Sequence, residues 1–177
     1  EDKGYLNDIL LLQKLIKKFN IFENIDSIIE IGCGTGNHTI ELAKTYKKVF
    51  AIDIDDNMLS ILKKKFKDNK IKNINYYNPQ TLDKTHKKLK FKIGISFFNV
   101  INYLINQKSL DDFFSEINKY IIKGGIFIFD CYNSKSFSDE SKEYSTNLKY
   151  DNKIIIRSVH TNFIKVNNLL SVTEKYS

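Results

Sequence analysis

Apolar residues along the chain follow two spacings, one typical of amphipathic helices and one of buried strands. Spacings of three and four residues predict helices over 6–19, 37–47, 55–66 and 109–122. Short, nearly continuous apolar runs predict strands over 27–31, 48–53, 74–77, 92–98 and 125–130. Because strands and helices alternate and the strands are apolar on both faces, we expect a doubly wound, mostly parallel α/β sheet with helices on both sides.

From about residue 144 the pattern changes to three strand-like runs joined by short polar turns. The runs cover 144–150, 153–163 and 169–176, and Asp-Asn and Asn-Asn pairs separate them. Asn and Asp tolerate the left-handed conformation that tight hairpins need. The pattern therefore predicts a C-terminal antiparallel β meander after the parallel sheet.

The formal net charge of +7 raises the question of nucleic-acid binding. Of the 28 basic residues, Arg157 is the single arginine and the rest are lysines. Arginine is the better partner for phosphate and guanine. The composition therefore indicates a drift toward lysine and argues against a nucleic-acid partner.

The two cysteines, Cys33 and Cys131, are far apart and form no CxxC pattern. We expect reduced thiols, no metal site and an intracellular protein. The longest apolar run falls well short of a membrane span, and the first residues have no signal-peptide pattern. A cytoplasmic protein with no membrane partner is the expectation.

The stretch EIGCGTGNHT, residues 30–39, has three glycines at every second position directly after a predicted strand. The dinucleotide-binding pattern G-x-G-x-x-G needs its third glycine where this chain has Asn37. Glu30 would repel a pyrophosphate and could attract an ammonium group, unless it is a solvated residue at the strand end. Asp53 ends the next strand, where a carboxylate can accept both hydroxyls of a ribose. S-adenosylmethionine, which has a ribose and a cation, fits both acids.

Three stretches, EIGCGTGNHT, VFAIDIDDNML and IIKGGIFIFD, resemble successive motifs of the class I S-adenosylmethionine-dependent methyltransferases. The resemblance implies an enzyme with a Rossmann-like fold and S-adenosylmethionine as its cofactor. It assigns 1–135 to the cofactor-binding domain and 136–177 to a β-rich appendage of the same domain on the substrate side. The cofactor contacts that it implies are Tyr5, Glu30, Gly32, Gly34, Gly36, Asp53, Ile54, Met58, Gln80 and Phe97.

Within that set, the resemblance gives each residue a part of the cofactor. The three glycines would wrap the methionine end, Glu30 would face the amino group, and Asp53 would hold the ribose. Ile54 and Met58 would pack against adenine, with a place in the apolar core as the alternative for Met58. Gln80 stands where the family has an Asp that contacts the adenine amino group, and a Gln carbonyl can still accept that hydrogen bond.

Three further stretches, KGYLND, KFKIGISFFNVINYL and IIIRSVHTNF, are similar to bacterial small-molecule methyltransferases, including those that act on nucleotide-linked amino sugars. By this resemblance Tyr5 closes over the cofactor, and Tyr103 lies near the transferred methyl unless it is a buried aromatic. An amine acceptor must be deprotonated, and Tyr103 or Asp130 at the carboxyl edge of the sheet could assist this step. Arg157 and His160 are candidates to face the substrate. We expect methyl transfer to an amino or hydroxyl group of a small molecule.

Other interpretations stay open at this point. The lysine runs leave room for an RNA methyltransferase, and Gln80 leaves room for a non-catalytic S-adenosylmethionine-binding module. Methyltransferases of this class normally end with a helix and an antiparallel strand pair, so this chain is either a fragment or has lost them. A homodimer is also left open. We expect His38 to be a packing or capping residue, and Cys33 and Cys131 to be small apolar fillers.

Overall fold

The computed structural model describes residues 4–18, 24–80, 89–133, 142–150, 153–164 and 169–176, and the chain divides into two compact units, Glu1–Cys131 and Tyr132–Ser177. In the described part, the helices are α1 (Tyr5–Lys18), α2 (Asn37–Thr45), α3 (Asp56–Asp68) and α4 (Gln107–Asn118), with a short 3-10 helix at Val100–Tyr103. The strands are β1 (Ser27–Ile31), β2 (Lys48–Ile52), β3 (Ile74–Tyr77), β4 (Phe91–Ser96), β5 (Ile121–Phe129), β6 (Lys142–Tyr150), β7 (Lys153–Ile164) and β8 (Leu169–Tyr176).

The first unit contains a five-stranded sheet of order β3-β2-β1-β4-β5, in which every neighbouring pair is parallel. The predicted doubly wound parallel sheet is therefore confirmed. The strand order reverses at β1, which lies between β2 and β4. In open α/β sheets, ligands bind at this point, outside the carboxyl ends of the strands. Glu30 lies there, paired in register with Ala51 on one side and Ile95 on the other.

Helices cover both faces of this sheet because successive strand residues are apolar. Ile28 of β1 is fully buried in a cluster with apolar residues of α1 and α2. The next residue, Ile29, packs on the other face in a cluster with Ile117 of α4. Ala51 of β2 packs against Leu62 of α3. Full burial of an isoleucine or leucine side chain stabilises the fold by about 1.5–3 kcal/mol.

The fifth strand departs from the predicted boundaries. It begins at Ile121, four residues before the predicted start at 125, and α4 ends at Asn118 instead of 122. The pairing with β4 shifts from Phe91 opposite Ile121 to Ile93 opposite Ile126. The glycine pair after residue 123 lies inside this irregularity. A left-handed glycine permits a bulge, so the strand continues through residues that the pattern alone indicates as a turn.

The second unit is a three-stranded antiparallel sheet of order β6-β7-β8. Tyr150 pairs with Lys153, and Ile164 pairs with Leu169, so both connections are hairpins between neighbouring strands. The predicted antiparallel meander is confirmed. None of the described helices is long and apolar enough to cross a membrane.

Candidate functional site

The glycine turn, residues 32–36, begins where β1 ends, and its three glycines have positive φ angles of 74°, 52° and 78°. A Cβ on Gly32 would lie 2.6 Å from Val100 Cγ2, and a Cβ on Gly36 would overlap Leu62 Cδ1. A Cβ on Gly34 would meet nothing within 4 Å. Gly32 and Gly36 are therefore needed for close packing, whereas Gly34 borders open space. Among the residues that the structure describes, no side chain occupies this space, so a ligand can approach the backbone at Gly34.

Asp53 connects the glycine turn to the start of α3. Its Oδ2 accepts the backbone N–H of Gly34 at 2.6 Å, and its Oδ1 accepts the N–H of Asp55 at 2.9 Å. Asp55 in turn caps α3 by accepting the N–H groups of Asn57 and Met58. Each carboxylate oxygen has a further lone pair. Asp53 is thus fixed beside the open side of the turn and can still accept hydroxyl groups.

Glu30 is a buried carboxyl group, with 2% of its surface exposed. Its pKa is raised from an ordinary 4.5 to about 8, and burial is the largest cause. The hydroxyl of Thr39, which donates to Oε2 at 2.6 Å, acts to lower this pKa, and the charge of Asp53 acts to raise it. The solvated alternative for Glu30 is therefore wrong. A buried acid of this kind gains most from a cationic partner, because such a partner restores the stabilisation that water would have supplied.

Lys65 of α3 is hydrogen-bonded to the glycine turn and to the residue that follows it. Its Nζ donates to Thr35 Oγ1 at 3.0 Å and to Asn37 Oδ1 at 2.6 Å. Partial burial lowers the pKa of Lys65. At the position where a dinucleotide fold has its third glycine, this chain therefore uses the Asn37 side chain to anchor the turn to α3.

His38, in the first turn of α2, joins that helix to α1. It is 5% exposed, and its Nε2 lies 2.9 Å from Asp8 Oδ2. Its ring packs edge-on against two aromatic rings, with ring centroids 4.8 Å apart for Tyr5 and 5.5 Å apart for Phe97. The predicted packing role of His38 is confirmed. The ring of Tyr5 also lies 6.4 Å from that of Phe98. Cofactor contacts of Tyr5 and Phe97 stay predictions.

The residues predicted around adenine follow Asp53 and β3. Ile54 is 75% exposed and Met58 is 39% exposed, so the core alternative for Met58 is wrong. Gln80 is exposed, and its backbone N–H donates to Asn78 Oδ1. The Asn78 amide donates to the Ile54 carbonyl at 3.1 Å and to Asp56 Oδ1 at 2.9 Å. Asn78 therefore ties the segment after β3 to the segment after β2, while the adenine contacts stay predictions.

Tyr103 lies at the end of the 3-10 helix that follows β4, and it is 84% exposed. The alternative of a buried aromatic is therefore wrong, and a role near the transferred methyl stays a prediction. Asp130 follows β5, and its two carboxylate oxygens accept the N–H groups of Phe98 and Asn99. These contacts give Asp130 a place in the turn after β4, and its predicted role as a base is untested.

The two cysteines differ in their surroundings. Cys33 is 7% exposed inside the glycine turn, and burial, followed by the charges of Glu30 and Asp53, raises its pKa. It is the small buried filler that we predicted. Cys131 is exposed, so the same prediction for that residue is wrong. The strand before it ends at Phe129, which leaves Cys131 outside the sheet.

Arg157 and His160 lie on opposite faces of β7. The register pairs Arg157 with Thr146 and His160 with Glu143, and residues three positions apart in a strand point to opposite sides. His160 lines a groove of about 250 Å³ whose lining does not include Arg157. The sheet therefore cannot present both side chains to one ligand on one face.

A cavity of about 300 Å³ between α3 and β3 does not coincide with the predicted cofactor contacts. Its lining consists of Asp56, Leu59, Ser60, Lys63, Tyr76, Tyr77 and Asn78. The open side of Gly34, with Asp53 hydrogen-bonded to its N–H, remains the candidate site on chemical grounds. No group of histidines, cysteines and acids suited to a metal ion occurs among the residues that the structure describes.

Three supporting residues, Thr39, Lys65 and Asn78, were not predicted. Their partners Glu30, Asn37 and Asp56 lie 9, 28 and 22 residues away along the chain. Periodicity relates only near neighbours on one element, so no pattern in the sequence marks these pairs.

Comparison with known proteins places this geometry in a family. Residues 28–125 match the model of the methyltransferase domain. The chain is 26% identical over 123 residues to a protein of Geobacillus sp. (strain WCH70) that is named a putative methyltransferase. This alignment covers 70% of this chain and 49% of that protein. It is also 34% identical over 122 residues to ribosomal RNA small subunit methyltransferase A of Mesomycoplasma hyopneumoniae (strain J). That alignment covers 67% of this chain and 42% of that protein.

The fold is similar to that of a solved amino pentose methyltransferase with bound S-adenosylmethionine from Micromonospora echinaspora. The TM-score is 0.73 at 12% identity, and the alignment covers 99% of this chain and 76% of that one. The chain spans about half the length of the curated relatives that it matches. Because the family model covers more than half of the chain and the open glycine turn suits the cofactor, we conclude that this protein belongs to the class I S-adenosylmethionine-dependent methyltransferases.

Proposed function

We propose that this protein transfers a methyl group from S-adenosylmethionine to an amino or hydroxyl group of a small molecule, with a nucleotide-linked amino sugar as the favoured acceptor. One observation carries the proposal: among the described residues the glycine turn is open at Gly34, whose N–H donates to Asp53, and the buried carboxyl group of Glu30 is near enough to Asp53 for that charge to raise its pKa. A buried acid favours an amino group, and an acid with free lone pairs favours a pair of hydroxyls. S-adenosylmethionine carries both.

The residues of the site divide the work of binding. Glu30 would accept the amino group, Asp53 would accept the ribose hydroxyls, and the exposed side chains of Ile54 and Met58 would lose contact with water against the adenine ring. When bound, the cofactor supplies an electrophilic methyl group on a sulfonium. The chain itself then needs to align the acceptor and to exclude water more than to provide strong acid-base catalysis.

An ammonium acceptor must first lose a proton to water, and Tyr103 is the side chain that we assign to holding the resulting amine, because its phenol oxygen can accept a hydrogen bond from the amine N–H. Its phenol is 84% exposed at the end of the 3-10 helix after β4, so an acceptor can reach it. One finding supports an amino sugar as the acceptor class: the fold resembles that of an amino pentose methyltransferase over 99% of this chain.

Calorimetry with S-adenosylhomocysteine tests the cofactor site. Asp53→Asn leaves one donor-facing oxygen where the carboxylate has two, so we expect affinity to fall about 10- to 100-fold, since hydrogen bonds to charged groups are worth roughly 1.5–3 kcal/mol. Asp68→Asn, an equal substitution at an exposed position in the last turn of α3, is the matched control and should bind like the wild type. Equal affinity of Asp53→Asn and the wild type would refute the assignment.

Release of S-adenosylhomocysteine during turnover tests the acceptor. The full-length protein is incubated with S-adenosylmethionine and a panel of nucleoside-diphosphate amino sugars, their hydroxyl counterparts, and total RNA. We expect turnover with the amino sugars, and we expect mass spectrometry to show the methylated amino sugar as the product. Turnover with RNA alone would replace the proposal, and absence of turnover with every acceptor would favour a binding module without catalysis.

An RNA methyltransferase is the second candidate because of one finding. The relative from Mesomycoplasma hyopneumoniae, which is 34% identical over 122 residues, is named for its action on ribosomal RNA. The net charge of +7 is compatible with this alternative. RNA affinity that falls steeply between 50 and 200 mM salt would support it, since neutralised phosphates release counterions on binding. RNA affinity that hardly changes with salt would count against it.

A further inference from the structure

Two consecutive residues after β4, Phe98 and Asn99, have left-handed backbone conformations, with φ angles of 68° and 60°. Neither residue is a glycine. A Cβ atom makes this conformation unfavourable, and two such residues in sequence are less common than one. Something outside the segment must therefore hold the chain in this shape.

Asp130, at the end of β5, supplies that restraint. Its Oδ2 accepts the Phe98 N–H at 2.9 Å, and its Oδ1 accepts the Asn99 N–H at 2.7 Å. The Asp130 N–H also donates to the Ser96 carbonyl at 3.3 Å. Ser96 in turn donates its hydroxyl to the Ile31 carbonyl at 2.9 Å. The carboxylate thus receives both N–H groups of the left-handed pair, and the backbone around it is fixed to β4 and β1.

The restrained turn lies against the glycine turn. Val100 directly follows Asn99, and its side chain occupies the space where a Cβ on Gly32 would stand. Tyr103 ends the short helix that Val100 begins. If Phe98 and Asn99 relaxed to extended conformations, Val100 would move away from Gly32, and Tyr103 would change position. Asp130 therefore fixes the turn that places Val100 against Gly32 and that leads into the short helix ending at Tyr103.

We propose that Asp130 is a positioning residue, which holds the turn after β4 in the shape that the cofactor and acceptor sites need and does not itself exchange a proton with the acceptor. The claim that Asp130 serves the cofactor and acceptor sites rests on the proposed function. The claim that Asp130 holds the turn rests only on its two hydrogen bonds to Phe98 and Asn99. It accounts for the pair of left-handed residues, which the methyltransferase assignment by itself does not explain.

Hydrogen exchange of the Phe98 and Asn99 amides tests the structural part in the full-length protein without ligand. In Asp130→Ala we expect both amides to exchange at least roughly tenfold faster, because each loses its acceptor. Asp130→Asn offers one carbonyl oxygen in place of two, so we expect it to protect one amide only. Asp112→Asn, at an exposed position of α4, is the control and should change neither rate. Unchanged exchange in Asp130→Ala overturns the inference.

A rescue experiment tests the link to binding. We expect Asp130→Ala to weaken S-adenosylhomocysteine binding about tenfold and to lower turnover. Asn99→Gly should restore most of this loss in the Asp130→Ala background, because glycine adopts positive φ without strain, and should change little in the wild type. A base would not be replaced by a glycine elsewhere, so rescue of turnover separates positioning from proton transfer.

The outcomes separate the two claims. Failure of the rescue, with turnover still lost in the double variant, overturns the positioning role in favour of a catalytic one. Binding by Asp130→Ala equal to the wild type overturns the link to the cofactor site. If the wild type does not bind S-adenosylhomocysteine, the proposed function is refuted, and the exchange rates still decide whether Asp130 holds the turn.

Discussion

Replacing Glu30 by glutamine should remove a large pH dependence from the stability of the ligand-free protein. Glu30 is 2% exposed, and its pKa is raised to about 8. Below pH 4.5 the carboxyl group is protonated in the folded and the unfolded chain alike. Between pH 4.5 and 8 the unfolded chain releases this proton while the folded chain keeps it. The folded state therefore loses relative stability as pH rises through this window, and the loss is complete above pH 8.

The size of the effect follows from the difference between the two pKa values. Each pKa unit is worth about 1.4 kcal/mol, so the rise from 4.5 to about 8 corresponds to about 5 kcal/mol. This is a large share of the roughly 5–15 kcal/mol by which domains are stable. Glutamine keeps the shape of Glu30 and an oxygen for the Thr39 hydroxyl. It cannot ionise, so Glu30→Gln should lack the loss altogether.

Urea denaturation at closely spaced pH values from 4.5 to 8.5 measures this difference. The free energy of unfolding of the wild type, relative to Glu30→Gln, should fall by about 5 kcal/mol across the range. Glu116→Gln, which removes a half-exposed glutamate of α4, is the matched control and should follow the wild type. Parallel profiles for the wild type and Glu30→Gln would refute the reasoning, because they would mean that Glu30 ionises in the folded protein as it does in water.

The same residue should couple cofactor binding to proton release. An ammonium group next to Glu30 favours the carboxylate, so binding below pH 8 must expel a proton. We expect S-adenosylhomocysteine affinity to rise from pH 6 to pH 8 in the wild type, with heats that depend on the ionisation enthalpy of the buffer. In Glu30→Gln both dependences should vanish and affinity should be low at every pH. Buffer-independent heats in the wild type would contradict this coupling.

Two further predictions concern the turns around the site. Gly36→Ala should lower the free energy of unfolding, measured in urea, by about 2–4 kcal/mol, because its Cβ would overlap Leu62 and its φ is positive. Gly34→Ala should lower it by only about 1–2 kcal/mol, for its positive φ alone. Gly34→Ala should also weaken S-adenosylhomocysteine binding in calorimetry. Equal destabilisation by both would show that Gly34 does not border open space. Tyr103→Phe should lower turnover by about 100-fold or more. Stability should stay within about 0.5 kcal/mol and S-adenosylhomocysteine affinity should be retained, because a side chain that is 84% exposed contributes little to packing. Turnover close to that of the wild type would remove Tyr103 from the reaction.

The sequence by itself determined the alternation of helices and strands, and with it the parallel sheet. Buried strands must be apolar on both faces, and helices must be apolar on one, so these two requirements are written into the order of residues. The same logic located Glu30 and Asp53, because strand ends in a parallel sheet meet at one edge. The glycine spacing at 32–36 identified the turn between them. These features depend on near neighbours along the chain.

The tertiary structure decided which roles the individual residues can take. Burial of Glu30 beside Thr39 changes its pKa, and only the folded chain shows that burial. Arg157 and His160 were both candidates to face the substrate, yet strand alternation places them on opposite faces of β7. Strand β5 begins four residues before its predicted start because pairing with β4 includes Ile121.

Asp130 illustrates the division best. In the sequence it is an acid at the end of a strand and hence a candidate base. In the fold both of its oxygens face N–H groups of Phe98 and Asn99, about thirty residues earlier in the chain. A carboxylate accepts hydrogen bonds from whatever donors the fold brings to it, and no local pattern records which donors those are. The residue type is therefore set by the sequence, while its partners, and through them its role, are set by the packing of distant segments.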